Sequence, residues 1–198
     1  MLKNLKDTTD RKSTVFAKEV GEIFAFLDVQ YGFKCTRQEN TYVRYESTDV
    51  YVNVYHGRSS FEIGLEIGNK SSERGFSLEA LVALFNKELS REYWAAEGKT
   101  TESARRVLKK LAEGLRRYGD SALSGNQSIF DRLEQLRKDR TVAMTIDSKA
   151  YQIRPKAEEA FRRGDYKEAV KLYSSIEPAL SSLERKKLKL AKKKAAGI

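Results

Sequence analysis

The side chains that could do chemistry in this chain are few and far apart. There is one histidine, His56, and one cysteine, Cys35, so the Cys/His cluster of a structural zinc site is absent. His56 falls at an expected hairpin turn, where a polar turn residue is the plainer reading and a catalytic base the sharper one. The run GDSALSG at residues 119–125 has the outline of a serine nucleophile turn. That turn must follow a strand and needs a histidine downstream. Here a helical pattern precedes it and no histidine follows. Glu62 and Glu66 share one strand face at roughly 13 Å, taking about 3.3 Å per residue. Glycosidase carboxyl pairs lie closer, at about 5–9.5 Å. Neither a GxxxxGK[ST] loop nor a GxGxxG fingerprint occurs. The sequence therefore predicts no catalytic residue, no metal and no cofactor, and points away from an enzyme.

What remains is recognition, and its best candidate is a tyrosine-rich meander. Thr41–Gly68, TYVRYESTDVYVNVYHGRSSFEIGLEIG, reads as three antiparallel strands. A turn at Thr48-Asp49 sets Val43 against Val54 and Tyr45 against Val52. A turn at Gly57-Arg58 sets Val54 against Phe61, Val52 against Ile63 and Val50 against Leu65. One face then gathers Val43, Tyr45, Val50, Val52, Val54, Phe61, Ile63, Leu65 and Ile67 as a core. The other gathers Tyr42, Arg44, Glu46, Tyr51, Asn53, Tyr55, Glu62 and Glu66, with Gly64 among them. Tyrosine supplies rigid area and a polar tip, which suits a protein partner. It also has high strand propensity and pairs well across strands, so the same residues fit a purely structural role.

Elements flanking the meander would position it. Phe16, Val20, Ile23, Phe24 and Leu27 mark a helix over 13–31 that covers the core face and ends at Gly32. Phe33–Gln38 alternates as a first strand, with Phe33 and Cys35 on one face. SLEALVALFNKEL is a helix capped by Ser77, and REYWAAEGKTT a loop or turn holding the sole tryptophan. SARRVLKKLAEGLRRYG follows as a helix ended by Gly119. Ser128-Ile-Phe-Asp131 reads as a capping box opening a helix to about Arg137, and Asp139–Ser148 as a linker. The fold class is α+β: a three- to four-stranded antiparallel meander under an N-terminal helix, then an all-helical C-terminal part. The division expected is residues 1–138 and 139–198.

Charge divides along the same line. The first hundred residues carry −1 and the rest +11, of which the tail from Leu183 holds +6. A basic module draws RNA, DNA, anionic membrane or acidic protein alike. The candidates for nucleic-acid contact are Arg105, Arg106, Lys109, Lys110, Arg116 and Arg117 on one helix, and Lys186, Lys187, Lys189 and Lys193 in the tail. The alternative is a solvated helix face, with tail lysines complementing a helix dipole. MLKNLKDTTD lacks the apolar run of a signal peptide, and no stretch reaches the roughly 18 apolar residues of a membrane span. The lone cysteine and these features read as cytoplasmic, with a membrane partner not expected.

AEEAFRRGDYKEAVKLYSSIEPALSSLERKKLKLA resembles one tetratricopeptide repeat unit. Ala157, the turn Gly164-Asp165-Tyr166, Ala169 and Tyr173 stand at that repeat's offsets over about 35 residues. No second copy follows, which puts the peptide groove such arrays form in doubt. The combination of a short helix, a YVRYES…VNVYHGR…FEIGLEIG meander and a basic helical end resembles small bacterial proteins. Some of those are like immunity proteins of toxin systems, which act by covering a toxin. That resemblance rests on residues 42–68 and implies a non-enzymatic protein-binding module. The net positive charge departs from it, since immunity proteins against basic nuclease toxins are acidic. An unidentified protein partner on the sheet face is thus favoured over nucleic acid on the basic helices.

Overall fold

The computed structural model describes residues 6–72 and 74–197, with side chains from Val15 onward. Residues 1–5, half of the stretch read for a leader, lie outside it. The chain divides into two compact units, Met1–Leu136 and Arg137–Ile198. The class is α+β with an antiparallel sheet and a helical C-terminal part.

In the first unit, helices α1 (Lys6–Ile23) and α2 (Phe26–Tyr31) lead into strands β1 (Lys34–Glu39), β2 (Tyr42–Glu46), β3 (Val50–His56) and β4 (Glu62–Asn69). Gly32 closes α2 in the left-handed conformation, φ +70°, which glycine adopts without steric cost. The strands are ordered β1-β2-β3-β4, and two further pieces share the outer edge of β4. These are β5 (Arg74–Ser77) along its C-terminal half and β6 (Ala96–Glu97) along its N-terminal half. Neither was expected, because two to four residues are too short for alternation to show.

The first hairpin has the expected register, Val43 opposite Val54 and Tyr45 opposite Val52. The second is displaced by four residues: Val54 faces Leu65, Val52 faces Ile67 and Val50 faces Asn69. The cause is a longer connection. Gly57 N–H donates to the Glu62 carbonyl at 2.8 Å, and Phe61 N–H to the Gly57 carbonyl at 3.0 Å. Phe61 sits in the left-handed region, φ 55°, and is 42% exposed rather than part of the core. An even displacement preserves the pleat, so every other face assignment stands. Lys34–Glu39 is exposed throughout, Cys35 included, while Phe33 just before it is buried.

Three more helices complete the cover: α3 (Leu78–Ala83), α4 (Lys87–Ser90) and α5 (Thr101–Tyr118), followed by α6 (Asp120–Leu123). Ser77 caps α3 as expected, but Asn86 Oδ1 accepts from Leu89 N–H at 2.9 Å and starts a new short helix. One cluster unites Phe16 and Val20 of α1, Leu81 of α3, and Leu108, Leu111 and Leu115 of α5 with the aliphatic sheet face. The helices thus lie on that face.

The helix α7 (Gln127–Arg162) is continuous over 36 residues. Its start is held by Asn126, whose Oδ1 accepts from Ser128 N–H at 3.0 Å, not by a Ser128–Asp131 box. Residues 139–148, expected as a linker, are helical instead. In the second unit α7 is followed by α8 (Tyr166–Ser174) and α9 (Ser182–Ala195). Asp165 caps α8 and a Ser181–Glu184 capping box opens α9. Their core is separate and built on small residues: Ala157, Ala160 and Ala169 with Tyr173, Ile176, Leu188 and Ala191. Among the described residues, no helix is long and apolar enough to cross a membrane.

Candidate functional site

The second face of the sheet is built on a pairing of tyrosine with glycine. Tyr55 stands directly across from Gly64, and Tyr51 from Gly68. A Cβ on Gly64 would come within 2.3 Å of Tyr55 Oη, and one on Gly68 within 2.4 Å of Tyr51 Cζ. Both rings therefore lie flat across the strand beside them, filling the space that the missing side chains leave. Gly75 of β5 continues the bed, 3.3 Å from Tyr51 Oη by the same measure.

A polar layer lies over that bed. The Arg44 guanidinium sits 4.0 Å from the centre of the Tyr51 ring. Its Nε donates to Glu46 Oε1 at 2.5 Å, and Lys70 Nζ lies 3.1 Å from Glu46 Oε2. Tyr42 Oη donates to Asn53 Oδ1 at 2.7 Å, and Arg44 Nη1 reaches the same oxygen at 3.4 Å. Hydrogen bonds from Arg44 and then Lys70 hold the Glu46 carboxyl below its usual range. Burial, then the charges of Glu66 and Glu62, push the Tyr55 hydroxyl up. The face is thus a fixed lattice of side chains already joined to one another, which lowers the entropy lost on binding.

Depth separates the expected residues. Tyr51 is 3% exposed and Asn53 8%, so both lie beneath the surface and support it. Tyr42, Arg44, Tyr55 and Glu66 are half-buried, and Glu62 is exposed. Sequence reasoning placed Glu46 on this face but missed Gly68, Gly75 and Lys70. Gly68 could have been found from the register alone, since it becomes the partner of Tyr51 once the second hairpin is displaced.

The basic helices are less free than their composition suggests. Arg105 pairs with Glu19 at 2.9 Å and Glu22 at 3.9 Å, Arg106 with Glu102 at 3.2 Å, and Lys110 with Glu92 at 3.4 Å. Arg116 lies over Phe26 at 4.2 Å and Arg117 over Tyr118 at 5.4 Å. Lys109 is exposed. In the second unit Lys187 pairs with Glu158, whereas Lys186, Lys189 and Lys193 are exposed on α9. The two sets belong to different units.

His56 lies at the end of β3 on the core face, 5.3 Å from Phe16 and 6.3 Å from Phe61 between ring centres. Burial pushes its pKa down, partly offset by hydrogen bonding to the backbone of Phe61 and Gly98. It borders a pocket of about 300 Å³ with Phe16, Glu19, Thr100 and Leu108. His56 Nε2 and Glu19 Oε2 are both buried without a hydrogen-bond partner. Each has under 1 Å² of accessible surface, so neither meets a molecule entering the pocket in this conformation. Among the described residues no group of three or more His, Cys, Asp or Glu could hold a metal ion.

Comparison with protein families, curated proteins and solved structures finds no match for this chain.

Proposed function

We propose that this chain is a non-enzymatic protein-binding module, of the immunity type in which one protein covers another. It meets its partner through the sheet face at Tyr42, Arg44, Tyr55, Glu62 and Glu66. The observation that carries the reading is the bed of tyrosines on glycines beneath a hydrogen-bonded Arg44–Glu46–Asn53–Tyr42 layer. Strand propensity accounts for tyrosine in a sheet but not for glycines placed one by one opposite the rings. Tyrosine and arginine held rigid in this way are the side chains that dominate protein interfaces.

The test is capture from nuclease-treated extract of the cells that make it, comparing the native chain with Tyr42→Ala combined with Tyr55→Ala. The expected result is one protein retained by the native chain and lost with the variant, whose circular dichroism is unchanged. Retention of the same protein by the folded variant overturns the assignment of the face.

A further inference from the structure

A second surface of the first unit combines features that neither the sheet face nor the charge count reveals. Phe85, after the end of α3, and Tyr118, the last residue of α5, have ring centres 6.1 Å apart with planes 30° to each other. Arg132 of α7 lies over Phe85 at 5.8 Å, and Arg117 over Tyr118 at 5.4 Å. The four side chains form a ladder, arginine–ring–ring–arginine, drawn from three elements. Tyr93 extends it, edge-on to Tyr118 at 6.1 Å. A Cβ on Gly114 would lie 2.3 Å from the Tyr93 ring, so Tyr93 is bedded in a notch of α5.

Three properties of the ladder point the same way. First, no carboxylate forms an ion pair with Arg117 or Arg132 among the described residues. A ring face positions a guanidinium without cancelling its charge. Second, once the ion pairs of Arg105, Arg106 and Lys110 are set aside, α5 keeps Lys109, Arg116 and Arg117 against Glu113, so the field at its C-terminal end, beside the ladder, is positive. Third, Phe85 is 51% exposed, so part of its ring is open to a ligand. Fixed cations flanking an open ring are what a phosphate backbone with unstacked bases requires. The arginines meet phosphates, and bases stack on the outer guanidinium planes and against the exposed part of the Phe85 ring. An acidic peptide would use the cations and leave the ring idle.

We infer that the Arg132–Phe85–Tyr118–Arg117 ladder is a docking site for single-stranded nucleic acid. The site is separate from the sheet face proposed for the protein partner, and neither depends on the other.

The experiment measures fluorescence anisotropy of labelled oligo(dT) and oligo(U) with the full chain across a salt series. All proteins carry Lys186→Gln, Lys189→Gln, Lys192→Gln, Lys193→Gln and Lys194→Gln, which lowers the charge of the tail from Leu183 from +6 to +1. Binding should weaken with salt, with a log–log slope of about −1.4, two phosphate contacts on a single strand at about −0.7 each. Phe85→Ala should weaken it about tenfold, in line with one lost stacking contact. Phe85→Leu, which keeps an apolar side chain, should weaken it as well. Arg117→Ala with Arg132→Ala should bring the slope close to zero. Each variant is first shown by circular dichroism and thermal melting to fold as the parent does. Absence of binding at low salt overturns the inference. So does binding that Phe85→Leu leaves intact and that polyglutamate displaces as well as oligonucleotide does, since the surface is then a patch of charge without a stacking site.

Discussion

Tyr51 and Gly68 define each other. The ring can lie flat only because its partner has no side chain, and the bare strand is shielded only because the ring covers it. A methyl group at Gly68 would also lie 2.5 Å from the Arg74 carbonyl of β5, a backbone atom that cannot turn aside. Gly68→Ala should therefore destabilise the protein by about 2–3 kcal/mol, the usual cost of overpacking, read as a lower urea midpoint. At Gly64 the close atoms belong to the outer end of the Tyr55 ring, which can swing away. Gly64→Ala should cost less and instead dislodge Tyr55, seen as weaker capture of the protein partner. His56 carries a different prediction. Its pKa is pushed below the usual 6.5 by burial, so the unfolded chain takes up the proton more readily than the folded one. Its stability contribution is complete above the unfolded value and is lost as pH falls through the lowered folded value. Glu46, also depressed, acts in the same direction but from 4.5 downward. Urea midpoints should thus fall between about pH 7.5 and 5.5, the range where histidine titrates, and His56→Gln should flatten that fall.

The hairpins show which parts of the fold a sequence can carry. Face assignment is legible because strand side chains have period two, and any even displacement leaves it untouched. Depth of register is not, because the loop from Gly57 to Glu62 puts Phe61 at φ 55°, a conformation that an aromatic residue rarely adopts. Reading Phe61 as a strand residue was locally reasonable, and it moved the partner of Tyr51 from Gly68 to Gly64. The candidate face was therefore readable in its membership but not in its layering, since the burial of Tyr51 and Asn53 follows from the true register. Helix starts were readable where Ser77 stands alone. They were misread where Asn86 and Asn126 compete with neighbouring polar residues for the cap. In the C-terminal part, small residues at the interhelical offsets were legible, and Ala157, Ala160 and Ala169 pack there around Tyr173. Tyr173 is fully buried and its hydroxyl lacks a partner, with burial pushing its pKa up. An unpaired buried hydroxyl costs about 1–3 kcal/mol. Tyr173→Phe should hence be neutral or raise stability by about 1 kcal/mol, whereas Tyr173→Ala should cost about 3–5 kcal/mol as a large-to-small core change. A loss with Tyr173→Phe would mean that the hydroxyl has a partner after all.

The two hydrophobic cores share no residue. One ends at Leu133 and the other begins at Ala150, and the stretch between them belongs to α7. Within that stretch Val142 and Met144 are exposed, and Thr141 and Thr145 turn their hydroxyls back to the carbonyls of Arg137 and Thr141 at 2.9 Å. Nothing apolar is buried over residues 137–149, so the helix persists there through its own hydrogen bonds and through continuity with anchored turns at both ends. A sequence reading sees weak periodicity in such a segment and assigns a linker, because amphipathic spacing records burial and not helicity itself. The consequence is a test of how the units depend on each other. Ala143→Pro removes one backbone donor and crowds the carbonyl of Asp139, at a cost of about 3 kcal/mol to a helix interior. If each core is sufficient alone, hydrogen exchange in the variant should quicken only around residues 139–149. Protection in the strands β2–β4 and in α8 should then match the native chain. Faster exchange in either core would show instead that the continuous helix transmits stability from one unit to the other.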